Sequence, residues 1–276
     1  MGKNIDNFVQ EHLFNKAETT KETYRQALVQ FEKWLIDTGT DLSDFVRTDV
    51  QMYIDYLAAR KKSAATINKV FNAIKSYCRY VGKMKAVENI RVVKQPDILN
   101  QAPKALDKKE MHRVLREAEK KENPRDFCIV TLLLNTGLRV GELVKLDRSD
   151  VELSERKGEI TVRWGKGGKA AKLPLNNEAR RALKEYLDTR KDNHPALFLS
   201  NRSERISKRT VQYIMEQLGI NAHALRHTFI TRLVRNNVDF SVIQSLSRHA
   251  SAKMIIRYSK PSLDEIEEAI NKISLS

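Results

Sequence analysis

Six residues of this 276-residue chain have the types and spacing for chemistry on a phosphate diester. His223 and Arg226 stand three apart in HALRHTFIT, so a helix would set an imidazole and a guanidinium on one face. His249 follows, and nine positions after it comes the phenol of Tyr258. Upstream, NTGLRVGEL supplies Arg139 and the glycine-rich turn WGKGGK supplies Lys166. A phosphodiester attacked in line gathers negative charge on its nonbridging and leaving oxygens, so catalysis is mostly positioning and charge stabilisation. Two arginine forks match that geometry better than two ammonium groups, which makes Arg139 and Arg226 the expected phosphate clamp. A phenol titrates near about 10, so a tyrosine nucleophile needs both local positive charge and a proton acceptor.

Each group also has an ordinary reading. Arg139 alone would be a surface arginine opening a helix, Tyr258 a core or surface aromatic, and Lys166 a simple phosphate contact. His223 and His227 are four apart, a possible zinc spacing. No H-E-x-x-H glutamate or nearby third ligand accompanies them, so no metal is expected and His227 reads as structural. The carboxylates are too scattered for a two-metal nuclease. WGKGGK is no Walker loop either, because no G-x-x-x-x-G-K-[ST] leads into a helix.

Fifty Lys and Arg against 35 Asp and Glu leave a formal charge of +15, spread along the whole chain. A folded cationic surface with an extended anionic partner is expected, and nucleic acid is the first candidate. The chain shows neither an apolar run of membrane-spanning length nor the apolar core of a signal peptide, so a cytoplasmic protein is expected. Cys78 and Cys128 lie in apolar helical patterns and read as buried thiols, with no disulfide between them.

The positioning elements follow from periodicity and caps. A helix near residues 4–15 precedes three amphipathic ones. TTKE opens the first with Thr19 and Glu22 as a capping box, Thr48 with Gln51 opens the second, and Ser63 opens the third, which Gly82 stops. They predict a helical domain over residues 1–93. Arg60, Lys61, Lys62, Lys69, Lys75 and Arg79 are its candidate DNA contacts, with a solvated charged face as the alternative. Residues 94–105, with two prolines and no periodicity, read as a linker. Residues 106–276 form the second domain. Asp107 and Glu110 cap one helix, and Asn123 and Pro124 start another that Gly137 closes just before Arg139. Residues 159–175 predict a β hairpin whose glycine-rich tip carries Lys166 and Lys169. Helices are expected at about 177–189 and 208–218, around His223 and Arg226, and through Val242, Ile243 and Leu246. ALFLS between the first two is a short strand or extended segment. A terminal helix over 262–273 shows a stripe of Leu263, Ile266, Ile270 and Ile273, with Glu265 completing its capping box. The fold class is therefore mainly α with a small β hairpin or sheet.

The GLR-x-x-EL turn, the GKG hairpin, the H-x-L-R-H-T helix and a histidine nine residues before a tyrosine occur in that order, and together they resemble the tyrosine recombinase (phage integrase) family over nearly the whole chain. The resemblance implies a helical SAM-like core-binding domain plus a mixed α/β catalytic domain, clamping duplex DNA and exchanging strands as a homo-tetramer on paired sites. It implies Tyr258 as nucleophile, His223 as its proton acceptor, His249 as a hydrogen-bond donor to phosphate and Lys166 as the acid for the departing 5′ oxygen. Glu142 matches an acidic position that orients a catalytic group. The product would be a 3′-phosphotyrosyl link, formed without metal, ATP or other cofactor, which a free hydroxyl can reverse. The terminal helix would dock in a neighbouring protomer, with docking on its own domain as the alternative. One position departs from the pattern: where the family has glycine before the second histidine, this chain has Arg248, an expected extra phosphate contact. The chain opens directly on the helical domain, so the compact Xer-like or transposon-resolution type is expected, without an additional arm-binding module. A type IB topoisomerase and a non-catalytic DNA-binding regulator are the alternatives.

Overall fold

The computed structural model describes residues 4–94, 103–163, 170–248, 253–260 and 263–273. The chain forms two compact units, Met1–Ile98 and Leu99–Ser276.

The first unit is helical. A short α1 (Ile5–Asn7) continues as a π turn, followed by α2 (Glu18–Asp37), α3 (Arg47–Ala59) and α4 (Ala64–Val81). Their apolar stripes meet in a core of Phe8, Leu28, Phe31, Ile54, Ile67 and Tyr77. Ser63 caps α4 by accepting the Thr66 N–H at 3.2 Å, and Gly82 ends it at φ +80°. Two starts differ from the sequence expectation. α2 begins at Glu18 after Ala17 with no side-chain cap, so Thr19 lies inside it. α3 begins at Arg47, where the Asp49 carboxylate accepts the Val46 N–H at 2.7 Å. In both cases a nearby carboxylate and the apolar register outweigh the hydroxyl signal.

The second unit is a helical body with one small sheet. α5 (Lys108–Lys120) starts with both arms of the Asp107–Glu110 capping box, at 2.7 and 2.9 Å. α6 (Pro124–Thr136) is buried almost throughout and packs against α5. Gly137 ends α6 at φ +59°, and a Cβ there would collide with the Phe229 ring. The short α7 (Val140–Leu143) leads to β1 (Val151–Leu153), β2 (Gly158–Val162) and β3 (Ala171–Pro174). These form one antiparallel sheet in the order β1-β2-β3, with Ile160 paired to both Val151 and Leu173. The hairpin expected from the alternation thus gains a third strand, β1, too short and too exposed to show a period of its own. α8 (Asn177–Thr189), α9 (Lys208–Glu216), α10 (Ala222–Arg235) and α11 (Phe240–Ser247) complete the body. ALFLS bends at Leu197 and Phe198 between α8 and α9 and is tied down by isolated bridges, Asp147 to Ala196 and Leu199 to Arg205. Then come α12 (Lys253–Ile256), a 3-10 turn at Arg257–Ser259, and α13 (Leu263–Lys272). α6 packs on α8 and α10, while Ile230, Ile243, Ile255 and Tyr258 form a separate apolar cluster beside α10. Among the described residues no helix is long and apolar enough to cross a membrane. Cys78 and Cys128 are free and buried, and burial pushes both thiols up.

Candidate active site

Three local devices place the site. The first is the left-handed turn at Gly137, which stops α6 and sets Arg139 at the N-cap of α7. The second is α10, capped by Asn221 accepting the Ala224 N–H at 2.8 Å, which aligns His223, Arg226 and His227 within about one turn. The third is the 3-10 turn carrying Tyr258, packed beside α10 by Ile230 and Ile255.

Arg226 is 5% exposed, and its guanidinium is held at both ends by backbone carbonyls, those of Gly137 and Ser247. Burial, and then the charges of Arg139 and Arg248, lower its pKa to about 10, so it stays cationic at neutral pH. Arg139 is more open. Its Nη1 reaches Glu142 Oε1 at 2.8 Å, and its backbone N–H reaches Oε2 at 2.8 Å. Glu142 is buried and shared, since Arg248 Nη2 lies 2.8 Å from Oε2. Burial alone would raise the Glu142 carboxyl, but the Arg248 charge and the hydrogen bonds from Arg139 and Arg248 outweigh it and lower it.

Tyr258 is 6% exposed, and its hydroxyl lies 2.8 Å from His227 Nδ1. Burial raises the phenol above its ordinary value, partly offset by the charges of Arg226, Arg257 and Arg139. The same burial, with His223, Arg257 and Arg226 nearby, lowers His227 to about 4, so its ring is neutral at pH 7. The sequence gives the acceptor role to His223. The histidine that reaches the phenol here is His227, one helical turn on, with its ring centroid 6.3 Å from that of His223. The spacing of four signals a shared face, but nothing local says which ring meets a tyrosine 31 residues away.

His223, His227, Arg139, Glu142 and Arg257 line one broad cleft of about 1810 Å³ in the second unit. Lys145 and Lys208 line it too, and neither stands out in the sequence; Lys208 directly follows the helix cap Ser207, a signal that a cation sits at that helix start. Arg248 turns inward: its side chain is 8% exposed and paired with Glu142, where the sequence suggested a phosphate contact. With both groups buried, a Glu142 or Arg248 left without the other would be an uncompensated charge, so the two pair. Lys166, Lys169 and His249 lie outside the described residues. In the first unit Arg60, Lys61, Lys62, Lys69, Lys75 and Arg79 are all exposed. Arg60 lies over the Tyr56 ring at 4.9 Å, and Lys75 and Arg79 line a smaller cleft of about 440 Å³ with His12, Lys16 and Tyr24.

A phenol held by an imidazole beside two guanidinium groups has the composition of a phosphoryl-transfer site. Comparison with known proteins supplies the class. Residues 104–264 match the phage integrase family, and residues 5–84 match the phage integrase N-terminal SAM-like domain. The tyrosine recombinase XerA of Pyrococcus furiosus is 34% identical over 236 residues, 82% of this chain and 80% of the relative. The tyrosine recombinase XerC of Pediococcus pentosaceus is 30% identical over 284 residues, 93% and 92% of the two chains. The solved pre-cleavage complex of the XerH site-specific recombinase with its difH substrate superposes with a TM-score of 0.71 at 21% identity, over 98% of this chain and 85% of that one, a likeness of fold. The chain belongs to the phage integrase family of tyrosine recombinases, enzymes that cut and rejoin DNA through a tyrosine.

Proposed function

We propose that this protein binds duplex DNA at a specific site and cleaves it with Tyr258, leaving a 3′-phosphotyrosyl link and a free 5′ hydroxyl. The observation that carries the reading is Tyr258 Oη at 2.8 Å from His227, within the field of Arg226 and Arg139. Arg226 and Arg139 grip the nonbridging oxygens of the scissile phosphate. The phenolic oxygen forms the new bond to phosphorus as the 5′ oxygen leaves. Its proton passes to His227 or His223, and Lys166 returns one to the departing oxygen, with His249 donating to a phosphate oxygen. Rejoining is the reverse, with a 5′ hydroxyl from either duplex attacking the phosphotyrosine, so bond energy is kept and no nucleotide or metal is consumed. The exposed cations of the first unit contact the phosphate backbone.

Strand exchange between paired sites, the step common to resolution and integration of DNA elements, follows when four copies assemble on DNA in the cytoplasm. α13 supports that assembly. Its Ile266 and Ile270 are 45 and 59% exposed and Ile273, just past its end, 74%, an apolar row suited to a second copy.

A duplex nicked next to the cleavage position tests the proposal, because loss of the short leaving strand traps the covalent intermediate. Wild-type protein forms the adduct, and Tyr258→Phe binds the same DNA without forming it. An adduct in the Phe variant overturns the assignment of the nucleophile.

A further inference from the structure

Arg248 occupies a backbone conformation of φ +52° and ψ +38°, the left-handed region that glycine adopts without a Cβ penalty. It sits at the end of α11, where its N–H satisfies the Gln244 carbonyl at 2.9 Å. The chain thus accepts a non-glycine residue where the helix stop favours glycine, and the side chain goes inward. Nη1 reaches the Leu246 carbonyl at 2.9 Å, Nη2 the Gly137 carbonyl at 3.4 Å and Glu142 Oε2 at 2.8 Å. Among the described residues Nε finds no partner.

The carboxylate it meets already serves Arg139, whose side chain gives it only one bond, from Nη1. A buried carboxylate facing a single guanidinium draws it into a two-pronged pair, the strongest geometry open to both. Arg139 closed in that way would be spent on Glu142. With Arg248 on the other oxygen, Glu142 is neutralised from both sides. The Gly137 carbonyl, which also accepts from Arg226, refers two of the three guanidinium groups to one point of backbone. One carboxylate among Arg139, Arg226 and Arg248 leaves a surplus of two positive charges for an incoming phosphate.

We propose that Arg248 is a positioning residue for cleavage: by occupying one side of the Glu142 carboxylate it keeps the Arg139 fork from closing there and leaves it directed at the scissile phosphate. The inference rests on the nucleophile and clamp proposed above.

The test measures single-turnover adduct formation on the nicked duplex at saturating protein, alongside DNA affinity and thermal melting. Arg248→Gly supplies the residue the backbone prefers and removes the charge. It is expected to bind DNA with affinity near wild type and to form adduct about tenfold to a hundredfold more slowly, the scale of a misplaced catalytic group. Arg248→Lys restores part of the rate. Adding Glu142→Gln to Arg248→Gly removes the carboxylate charge that captures Arg139, so the double variant cleaves faster than the single one. Where Arg248→Gly melts too early to assay, Arg248→Met keeps the buried volume and gives the same comparison. A rate equal to wild type in the single variant, or a double variant slower than the single one, overturns the proposal. Wild-type protein that forms no adduct overturns the parent reading and this one with it.

Discussion

The phenolic oxygen of Tyr258 lies 2.8 Å from Nδ1 of His227, where α10 passes the 3-10 turn near the carboxyl-terminal end of the second unit. Both groups are held in their neutral forms, the phenol raised by burial and the imidazole lowered to about 4 by burial and the cations around it. A base that weak does not take a proton from a phenol that reluctant. A phosphate beside Arg226 and Arg139 would offset the cations that act on both groups, but burial, the largest cause of each shift, would remain. The pair is therefore neutral at rest, and in the mechanism proposed above the proton leaves the phenol as the bond to phosphorus forms.

His227→Ala should slow adduct formation on a nicked duplex by about a hundredfold, the usual scale for losing a positioned proton acceptor. DNA affinity should change little, since the ring is half-buried. His223→Ala is the matched comparison. If only the His223 variant loses rate, the exposed ring at the cleft is the acceptor, and the His227 contact merely stores the tyrosine.

Stability should carry the signature of His227 on the acid side. The folded protein keeps its ring neutral down to about 4, whereas an unfolded chain takes up a proton near the ordinary 6.5. As pH falls through that window the unfolded state is increasingly favoured, and above 6.5 this group contributes no pH dependence. The lowered Glu142 carboxyl also costs stability in acid, but equally in a variant that retains it. Melting of wild type and His227→Asn at pH 7 and pH 5 separates the two. The wild-type midpoint should fall further than that of the variant, and parallel shifts would show that the ring is not the cause.

Much of the framework is written locally. Asp107 with Glu110, Ser63, Asn123, Gly82 and Gly137 each end or begin a helix through contacts within three or four residues, so their types reveal the boundary. Thr19 misleads because Ala17 and Glu18 start the helix without any side-chain cap. The partners of Glu142 are of two kinds. Arg139 is three residues away and readable, whereas Arg248 is 106 residues away and becomes a partner only once α11 ends beside α6. Tyr258 and His227 likewise meet through packing on Ile230 and Ile255, which no spacing encodes.

Gly137→Ala should be costly in both stability and rate. The positive φ of +59° would cost a side chain about 1 kcal/mol, and displacing the Phe229 ring adds about 1–3 kcal/mol of overpacking. The carbonyl of the same residue receives Arg226 and Arg248, so a shifted turn also misaligns the clamp. Gly82→Ala is the control, with φ +80° and no described atom within 4 Å of the added Cβ. Denaturant unfolding should show the larger loss at Gly137, and only that variant should cleave more slowly.

α13 gives the last prediction. Ile270 is 59% exposed, while an apolar cavity of about 340 Å³ opens between Val234, Phe240, Ile243 and Ile256 of the same unit, with Phe240 and Ile256 themselves 42 and 51% exposed. If one copy's helix fills another copy's cavity, a charge on either surface should break the assembly without touching the chemistry. Ile270→Asp and Phe240→Lys should each reduce the tetramer on paired sites, measured by sedimentation with DNA, while a single site is still cleaved. A direct contact makes a further demand: combining the two variants sets opposite charges against each other, so the double variant should recover part of the assembly that each single variant loses. Independent losses that merely add would place the two surfaces in different contacts.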